Sequence, residues 1–474
     1  MPREMALQPA KKDIRSRIPH TLAFLLGIVI LLGILTYVIP AGEYTRIESG
    51  GRTMVDPNSF HYVEQNPVTP FEWFRAVPEG IVRASNIIAV IFLAIGGMGV
   101  YTETGAFQSS IAQLLKKGGE KTSIGLMLAI MIFISVRSGF EGALESQLSF
   151  TPLTLSFALA AGYDVVTGVT MAMLPAIVSH AIAPTNPYIG LVAQEISGLP
   201  PFSGIGLRIV GWVLISALTY YHIISYALKV KKDRSLSLTY DLDIGDIEQE
   251  FGILSDEPLT GRQKVLMIML LGTVVCIVLG AVKWKVGLLG IAAIFLISGI
   301  LAGLVAGYDN RKIASIFVRR GSSMYFGALC VGVGRAIQIV LENGKIIDTI
   351  IHGLSGPLQG VSGVFSALAM YVIQLLINFF IPSGSGQAVA TMPIMAPLAD
   401  LVGVTRQTAV LAFQMGDGIT NMIFPTVGHI WAFLAFGRIP DERYIKYVMP
   451  LFWKVAAVGA GLLIYAQLIQ YGPF

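Results

Sequence analysis

A chain of 474 residues that is 54% hydrophobic and only 13% charged departs from soluble proteins, in which about a quarter of residues are charged. Its net charge of +4 does not point to nucleic acid: the basic residues cluster beside apolar runs, and no soluble basic domain remains to hold such a partner. No phosphate loop, dinucleotide fingerprint or zinc spacing occurs, which disfavours an ATP-driven pump. The expected fold class is an all-α polytopic membrane protein.

The chain opens on a tail, 1–19, whose Lys11, Lys12, Arg15 and Arg17 place the N-terminus in the cytoplasm. The apolar run Leu22 to Ile39 is too long for a signal-peptide core and no small-residue cleavage site follows it, so 20–40 reads as a first span. A mixed-to-acidic loop, 41–80, is then external, and a span at 84–100 returns the chain to Lys116, Lys117 and Lys121 inside. An apolar stretch at 123–160 is interrupted near its middle and reads as a re-entrant hairpin or as two ordinary spans; charge is the same for both. A broken span at 165–195 and a span at 205–228 lead to Lys229, Lys231, Lys232 and Arg234, at the start of a polar cytoplasmic connector. Spans at 265–282, 286–305 and 316–338 follow. A second interrupted stretch at 361–400, a broken span at 406–436 and a last span at 448–469 complete the order. Cys276 and Cys330 lie inside apolar segments and read as packing or lipid-depth residues rather than a disulfide or metal pair.

This order suggests a division into a tail (1–19), a first repeat (20–228), a connector (229–264), a linking helix (265–285) and a second repeat (286–474). Each repeat carries an interrupted hairpin and then a broken span, and the two begin on opposite sides of the membrane. Inverted repeats with broken helices at matching positions let one architecture open to either side. A Thr-Asn pair stands at both breaks, Thr185-Asn186 and Thr420-Asn421.

The four interruptions are SGFEGALES from Ser138, SHAIAPTNPYIG from Ser179, IPSGSGQAVATMP from Ile381 and MGDGITNMIFPTVG from Met415. Gly and Pro stop the helix there and leave backbone groups without partners at membrane depth, which is tolerated only inside protein or along a wet cavity. The N-terminal end of a half-helix favours a carboxylate, and freed carbonyls favour a small cation. Ser383, Ser385, Thr185, Asn186, Thr420 and Asn421 add neutral groups suited to ligand oxygens. Glu141, Glu145 and Asp417 are acids within these segments, with Asp164 at the turn before the first broken span; a carboxylate at this depth needs a partner, such as a cation or a substrate amine. Glu141 and Glu145 share one face if their segment is helical. Arg137 and Arg335 are candidate structural partners for these acids. His180 is a candidate proton carrier, with Asp417, for ion coupling.

At these motifs the chain resembles the YfcC/ArcD-like group of the DcuC-type (C4-dicarboxylate anaerobic carrier) family, part of the ion transporter superfamily. The matching stretches are GGMGVYTETGAF from Gly96, GFEGALES from Gly139, APTNPYIGLVAQEISGLPPFSG from Ala183, IPSGSGQAVATMPIMAPLADLVG from Ile381 and GDGITNMIFPT from Gly416. The resemblance implies a bacterial inner-membrane carrier, a homodimer in which transport domains move as an elevator against scaffold domains. It places a substrate carboxylate near Ser383, Gly384, Ser385, Thr185 and Asn186, and a cationic substrate group near Glu141, Glu145 or Asp417. Many members have two adjacent acids at the first tip. Here one of the pair is Ser146, which weakens the case for a doubly basic substrate.

Two readings of transport stay open. One is an amino-acid exchanger of the arginine/ornithine kind, towards which the sequence leans slightly. The other is a Na⁺- or H⁺-coupled carrier of C4-dicarboxylates or other carboxylates. No cofactor beyond such an ion is expected. A channel suits paired inverted interruptions less well, and no nucleophile or metal arrangement supports a membrane enzyme.

Overall fold

The computed structural model describes residues 21–472 apart from 50–51, 57, 142–143, 187–188, 246, 248–258, 283, 285–286 and 357–362. The tail 1–19 and much of the connector therefore lie outside the described residues. Six helices among those described are long and apolar enough to cross a membrane, and the chain is an all-α polytopic membrane protein apart from two small two-stranded sheets between residues 42 and 62.

Helix α1 (Thr21–Leu35) is followed by short strands at Gly42–Glu43, Arg46–Ser49, Arg52–Val55 and His61–Tyr62. The first pairs with the fourth and the second with the third, all antiparallel. Then come α2 (Pro70–Arg83), α3 (Ser85–Glu103) and α4 (Ala106–Glu141), a 3₁₀ stretch at Glu145–Phe150, and α5 (Thr151–Ala160). The broken span is α6 (Val165–Ile182) and α7 (Gly190–Ile196), followed by α8 (Ile205–Lys232). The second half comprises α9 (Gly261–Val282), α10 (Gly287–Ala306), α11 (Asn310–Ser323), α12 (Tyr325–Asn343) and α13 (Ile347–Ser355). It ends with α14 (Val364–Phe380), α15 (Gly384–Leu401), α16 (Arg406–Thr420), α17 (Gly428–Phe436) and α18 (Asp441–Leu468).

Three expectations are corrected. The span at 316–338 is two helices, α11 and α12, because the backbone turns at Met324 (φ −99°, ψ 3°) and the polar residues of α11 cannot share a span with the apolar run after it. Arg319 of α11 instead reaches back to Glu103 at 2.7 Å. The first interrupted stretch does not begin at 123: Lys116, Lys117 and Lys121 lie on α4 itself, which runs 36 residues. Glu141 ends α4 while Glu145 opens the 3₁₀ stretch, so the two do not share a helical face.

The two hairpin-to-broken-span connections are built alike. At the end of α5, Gly162 adopts φ +82°, and at the end of α15, Gly403 adopts φ +71°, a left-handed conformation that glycine reaches without strain. The next helix then starts on a side-chain cap: Asp164 Oδ1 accepts from Thr167 N, and Thr405 accepts from Thr408 N. The element order hairpin, glycine turn, cap, broken span, long helix thus occurs twice.

Packing sorts the helices into two groups, each drawn from both halves of the chain. In one, α3 lies against α10 and α11, while α2 and α1 lie against α12. In the other, α6 is surrounded by α4, α5, α8 and α16, and α16 by α14 and α15. All eighteen residues of α6 are buried. Its apolar sides are therefore held by protein, and it lies too deep for lipid contact. Where α6 crosses α16, a Cβ on Gly418 would stand 2.2 Å from Ala181 Cα, so only glycine permits that approach.

Candidate functional site

The four interruptions meet. Gly139, near the first tip, lies against Ala183 at the first break, where an added Cβ would be 3.5 Å from the alanine Cβ. Gln414 of α16 donates to the Ala183 carbonyl at 2.9 Å. From the second hairpin, Gly384 packs on Ile189 and on Asp417: a Cβ there would stand 2.8 Å from Ile189 Cδ1 and 3.0 Å from Asp417 Oδ2. Glycine at 384 thus lets the start of α15 press against both breaks.

At the first break, α6 ends at Ile182 and Ala183 is extended. Asn186 bridges the gap: its Nδ2 lies 3.2 Å from His180 Nδ1, and its Oδ1 accepts from the Ile189 N–H at 3.1 Å, closing the turn into α7. Thr185 is half-buried beside it. At the second break, Asn378 of α14 holds the end of α16, donating through Nδ2 to Asp417 O (2.8 Å), Thr420 Oγ1 (2.8 Å) and Asn421 Oδ1 (2.9 Å). Thr420 also donates to Gly416 O at 3.0 Å. These contacts answer the question of where a broken helix at membrane depth puts its freed polar groups.

Asp417 is the exception. It is 1% exposed, and neither carboxylate oxygen has a hydrogen-bond partner. Among the described residues a basic group, His180 Nε2, stands 4.0 Å from Oδ2. Beside it lies the N-terminus of α15, where Ser383 makes no side-chain cap, so the first-turn N–H groups are the unsatisfied ones that every helix leaves. Nearby amides add more acceptors without donors: Asn378 Oδ1, Gln387 Oε1 and Gln414 Oε1 are all buried and unpartnered. A surplus of oxygen acceptors is the chemistry of a cation site, and a helix N-terminus that of an anion site.

The structure brings His180, Asn186, Gly384 and Asp417 together, with Thr420 and Asn421 behind them on the Asn378 bridge. Ser383 is half-buried and Ser385 exposed at the start of α15. Ser146 is buried in the 3₁₀ stretch and accepts from Arg137 Nη1 at 3.2 Å, while the guanidinium lies over the Phe150 ring. The side chains of Glu141 and Glu145 lie outside the described residues. Asp164 takes a structural place instead: its four accepted hydrogen bonds come from Thr167, Tyr226 and Ser237, at the other end of α6. Arg335 bonds Gln338 at 3.1 Å on its own helix. Asn378, Gln374, Gln387 and Gln414 were not singled out from the sequence; the available signal was an isolated amide inside an apolar helix, as in LLINFF. Among the described residues no His, Cys, Asp and Glu cluster could hold a metal through three such side chains.

Helices long and apolar enough to span a membrane, interrupted at four points that gather around a buried polar centre, are the framework of a polytopic membrane carrier. Residues 18–468 match the family DcuC, the C4-dicarboxylate anaerobic carrier, and the chain belongs to that family, within the ion transporter superfamily. It is a secondary-active transporter of small solutes and not an enzyme. The chain is similar to YfcC of Escherichia coli (strain K12), named a putative basic amino acid antiporter, with 29% identity over 98% of this chain and 99% of that one. It is also similar to an uncharacterized protein of Haemophilus influenzae (strain ATCC 51907 / DSM 11121 / KW20 / Rd), with 28% identity over 97% of this chain and 98% of that one. The solved structure of Neisseria gonorrhoeae MtrF, from a class of antimetabolite efflux pumps, aligns over 96% of both chains at 15% identity and a TM-score of 0.42.

Proposed function

We propose that this chain is a cation-coupled carrier of a carboxylate-bearing solute, with Na⁺ or H⁺ as the coupling ion. The observation that carries this reading is Asp417, a buried carboxylate with no donor on either oxygen. A charge so placed is costly unless a proton or a bound cation neutralises it. The adjoining start of α15 offers the complementary half, N–H groups and the hydroxyls of Ser383 and Ser385 for a substrate carboxylate. In this reading Thr185, Asn186, Thr420 and Asn421 complete the polar wall, His180 relays or senses the coupling charge, and Glu141, Glu145 and Ser146 approach from the first tip.

The amino-acid exchanger remains the second reading, because a substrate amine would satisfy Asp417 equally well and a relative carries that description. The family's own description favours the carboxylate carrier. Ser146, a neutral residue bonded to Arg137, supports the same side, since it adds no acid to receive a second amine. The balance therefore moves away from the arginine/ornithine exchanger. Alternating access by an elevator, with α4–α8 and α14–α18 sliding against the remaining helices across the contact of α17 with α12, is the motion proposed. A homodimer in a bacterial inner membrane, with a cytoplasmic N-terminus and inverted halves 20–228 and 286–474, completes the proposal.

Uptake into proteoliposomes tests it, comparing C4-dicarboxylates, arginine, ornithine and neutral amino acids under separate Na⁺ and pH gradients. Carboxylate uptake driven by one ion gradient is expected. Arginine uptake that needs internal ornithine and ignores both gradients would replace this reading with the exchanger.

A further inference from the structure

Away from the polar centre, a crevice of about 310 Å³ lies between α8 and α18. Its wall includes Tyr221, His222, Ser225 and Lys229 from α8, and Tyr447 and Lys454 from α18; no acid lines it. Neither lysine forms an ion pair among the described residues. The Nε2 of His222 is buried and has no hydrogen-bond partner, while its ring packs on Tyr447 at 4.6 Å. Behind the wall, Asp164 is already committed to Tyr226 (2.6 Å) and Ser237 (2.7 Å). The crevice is thus a cationic, donor-rich hollow without an anion.

We infer that this crevice holds the phosphate of an anionic phospholipid headgroup. The helices run antiparallel, since Arg443 at the start of α18 bonds Leu238 O and Asp241 just beyond the end of α8. Lys229 and Lys454 therefore reach into the crevice from opposite ends, with His222 and Ser225 between them. Lys454 lies about 20 Å along α18 from its start, at 1.5 Å per residue, on an apolar exposed face. Its neighbour Trp453 is 65% exposed, and across the crevice Tyr221 is 70% and Leu214 50% exposed. A lysine on a lipid-facing surface without a counter-ion bends its ammonium towards the headgroup layer. Lys229, Lys231 and Lys232 mark that layer at the end of α8. Two ammonium groups, an imidazole and hydroxyls suit a phosphodiester, and the exposed apolar rim suits the acyl chains attached to it. A soluble phosphate would meet the same donors but gain nothing from that rim, which is why the lipid is the chosen source. The location also has a consequence for transport: α8 packs on α6 and α18 on α16, so the headgroup would tie together the two helices that flank the broken spans.

The test is native mass spectrometry and thermal unfolding of the full chain titrated with phosphatidylglycerol, phosphatidylcholine, inorganic phosphate and glycerol 3-phosphate. Phosphatidylglycerol is expected to be retained and to raise the unfolding midpoint more than phosphatidylcholine, with the soluble phosphates ineffective. The Lys229→Gln/Lys454→Gln double variant is expected to weaken phosphatidylglycerol binding about tenfold or more, while Lys231→Gln, outside the crevice, leaves it unchanged. Equal retention of the two lipids by the unaltered protein overturns the inference, and needs no variant to fold. Undiminished phosphatidylglycerol binding by the double variant also overturns it. A midpoint shift that inorganic phosphate reproduces in full overturns the lipid assignment and leaves a soluble-phosphate site.

Discussion

His180 Nε2 stands 4.0 Å from Asp417 Oδ2, and this pair joins the two broken spans at the level where both helices stop. Each residue belongs to a different half of the chain, and neither is at a surface. The separation exceeds a hydrogen bond, so the carboxylate is faced by a basic group without being satisfied by it. A small ion or a proton entering there would change the charge that both halves share.

Asp417→Asn is expected to cut ion-dependent uptake sharply while leaving the fold intact. The amide has the same shape but no charge, and replacing a buried unpaired charge with a neutral isostere is neutral or stabilising. Loss of a charge-assisted contact of ordinary size lowers transport about tenfold to a hundredfold. Uptake in proteoliposomes and thermal unfolding in detergent separate the two effects. Full ion-driven uptake by the variant would remove Asp417 from the coupling site.

Gly418→Ala is expected to destabilise by about 1–3 kcal/mol, the range for overpacking a well-filled contact. The new Cβ would meet Ala181 Cα at 2.2 Å, which is backbone and cannot swing aside. Gly461→Ala on α18 is the control, because nothing lies within 4 Å of its added Cβ. Thermal midpoints of the two variants measure the difference; equal midpoints would mean that α6 and α16 do not depend on this close crossing.

The positions of the helix interruptions are legible because glycine, proline and small polar residues interrupt long apolar runs, and that pattern is local. What was not legible depends on contacts between distant segments. Asn378 reads as one polar residue in an apolar helix until α14 meets the end of α16, and Gln414 gains meaning only from Ala183, far earlier in the chain. Asp164 looked like a functional acid because it precedes a broken span; its N-cap role at the other end of α6 follows from Thr167, three residues on, a signal the sequence did carry. The turn at Met324 is hard to read because the glycine beside it, Gly321, stays helical, and glycine is frequent inside membrane helices. Glu141 and Glu145 would share a face only on one continuous helix, whereas Glu141 ends α4 and Glu145 opens the 3₁₀ stretch.

Asn378→Leu is expected to destabilise the second break. The apolar side chain fills similar space but removes a donor shared by Asp417 O, Thr420 Oγ1 and Asn421 Oδ1. Leaving one such buried acceptor without a partner costs about 1–3 kcal/mol, and Thr420 retains its own bond to Gly416 O. A fall in thermal midpoint together with loss of uptake is the expected pair of results. A midpoint that does not move would show that the break is held by something other than this amide.

Asp164→Ala separates a structural acid from a transporting one. The carboxylate caps α6 through Thr167 and fastens the connector through Ser237, helped by Tyr226, whose hydroxyl also accepts from Leu238 N. Loss of an N-cap alone costs about 0.5–2 kcal/mol, and the connector loses its attachment in the same step. Limited proteolysis is therefore expected to cut near Ser237 faster in the variant, while the affinity for substrate stays within about threefold, because Asp417 and the start of α15 lie at the opposite end of α6. Unchanged proteolysis with a collapse in substrate affinity would reverse that assignment and return Asp164 to the transport pathway. Arg443 offers an internal comparison: it holds the connector to α18 through Asp241 and Leu238. Arg443→Ala is accordingly expected to share the proteolysis phenotype of Asp164→Ala without altering the cap on α6.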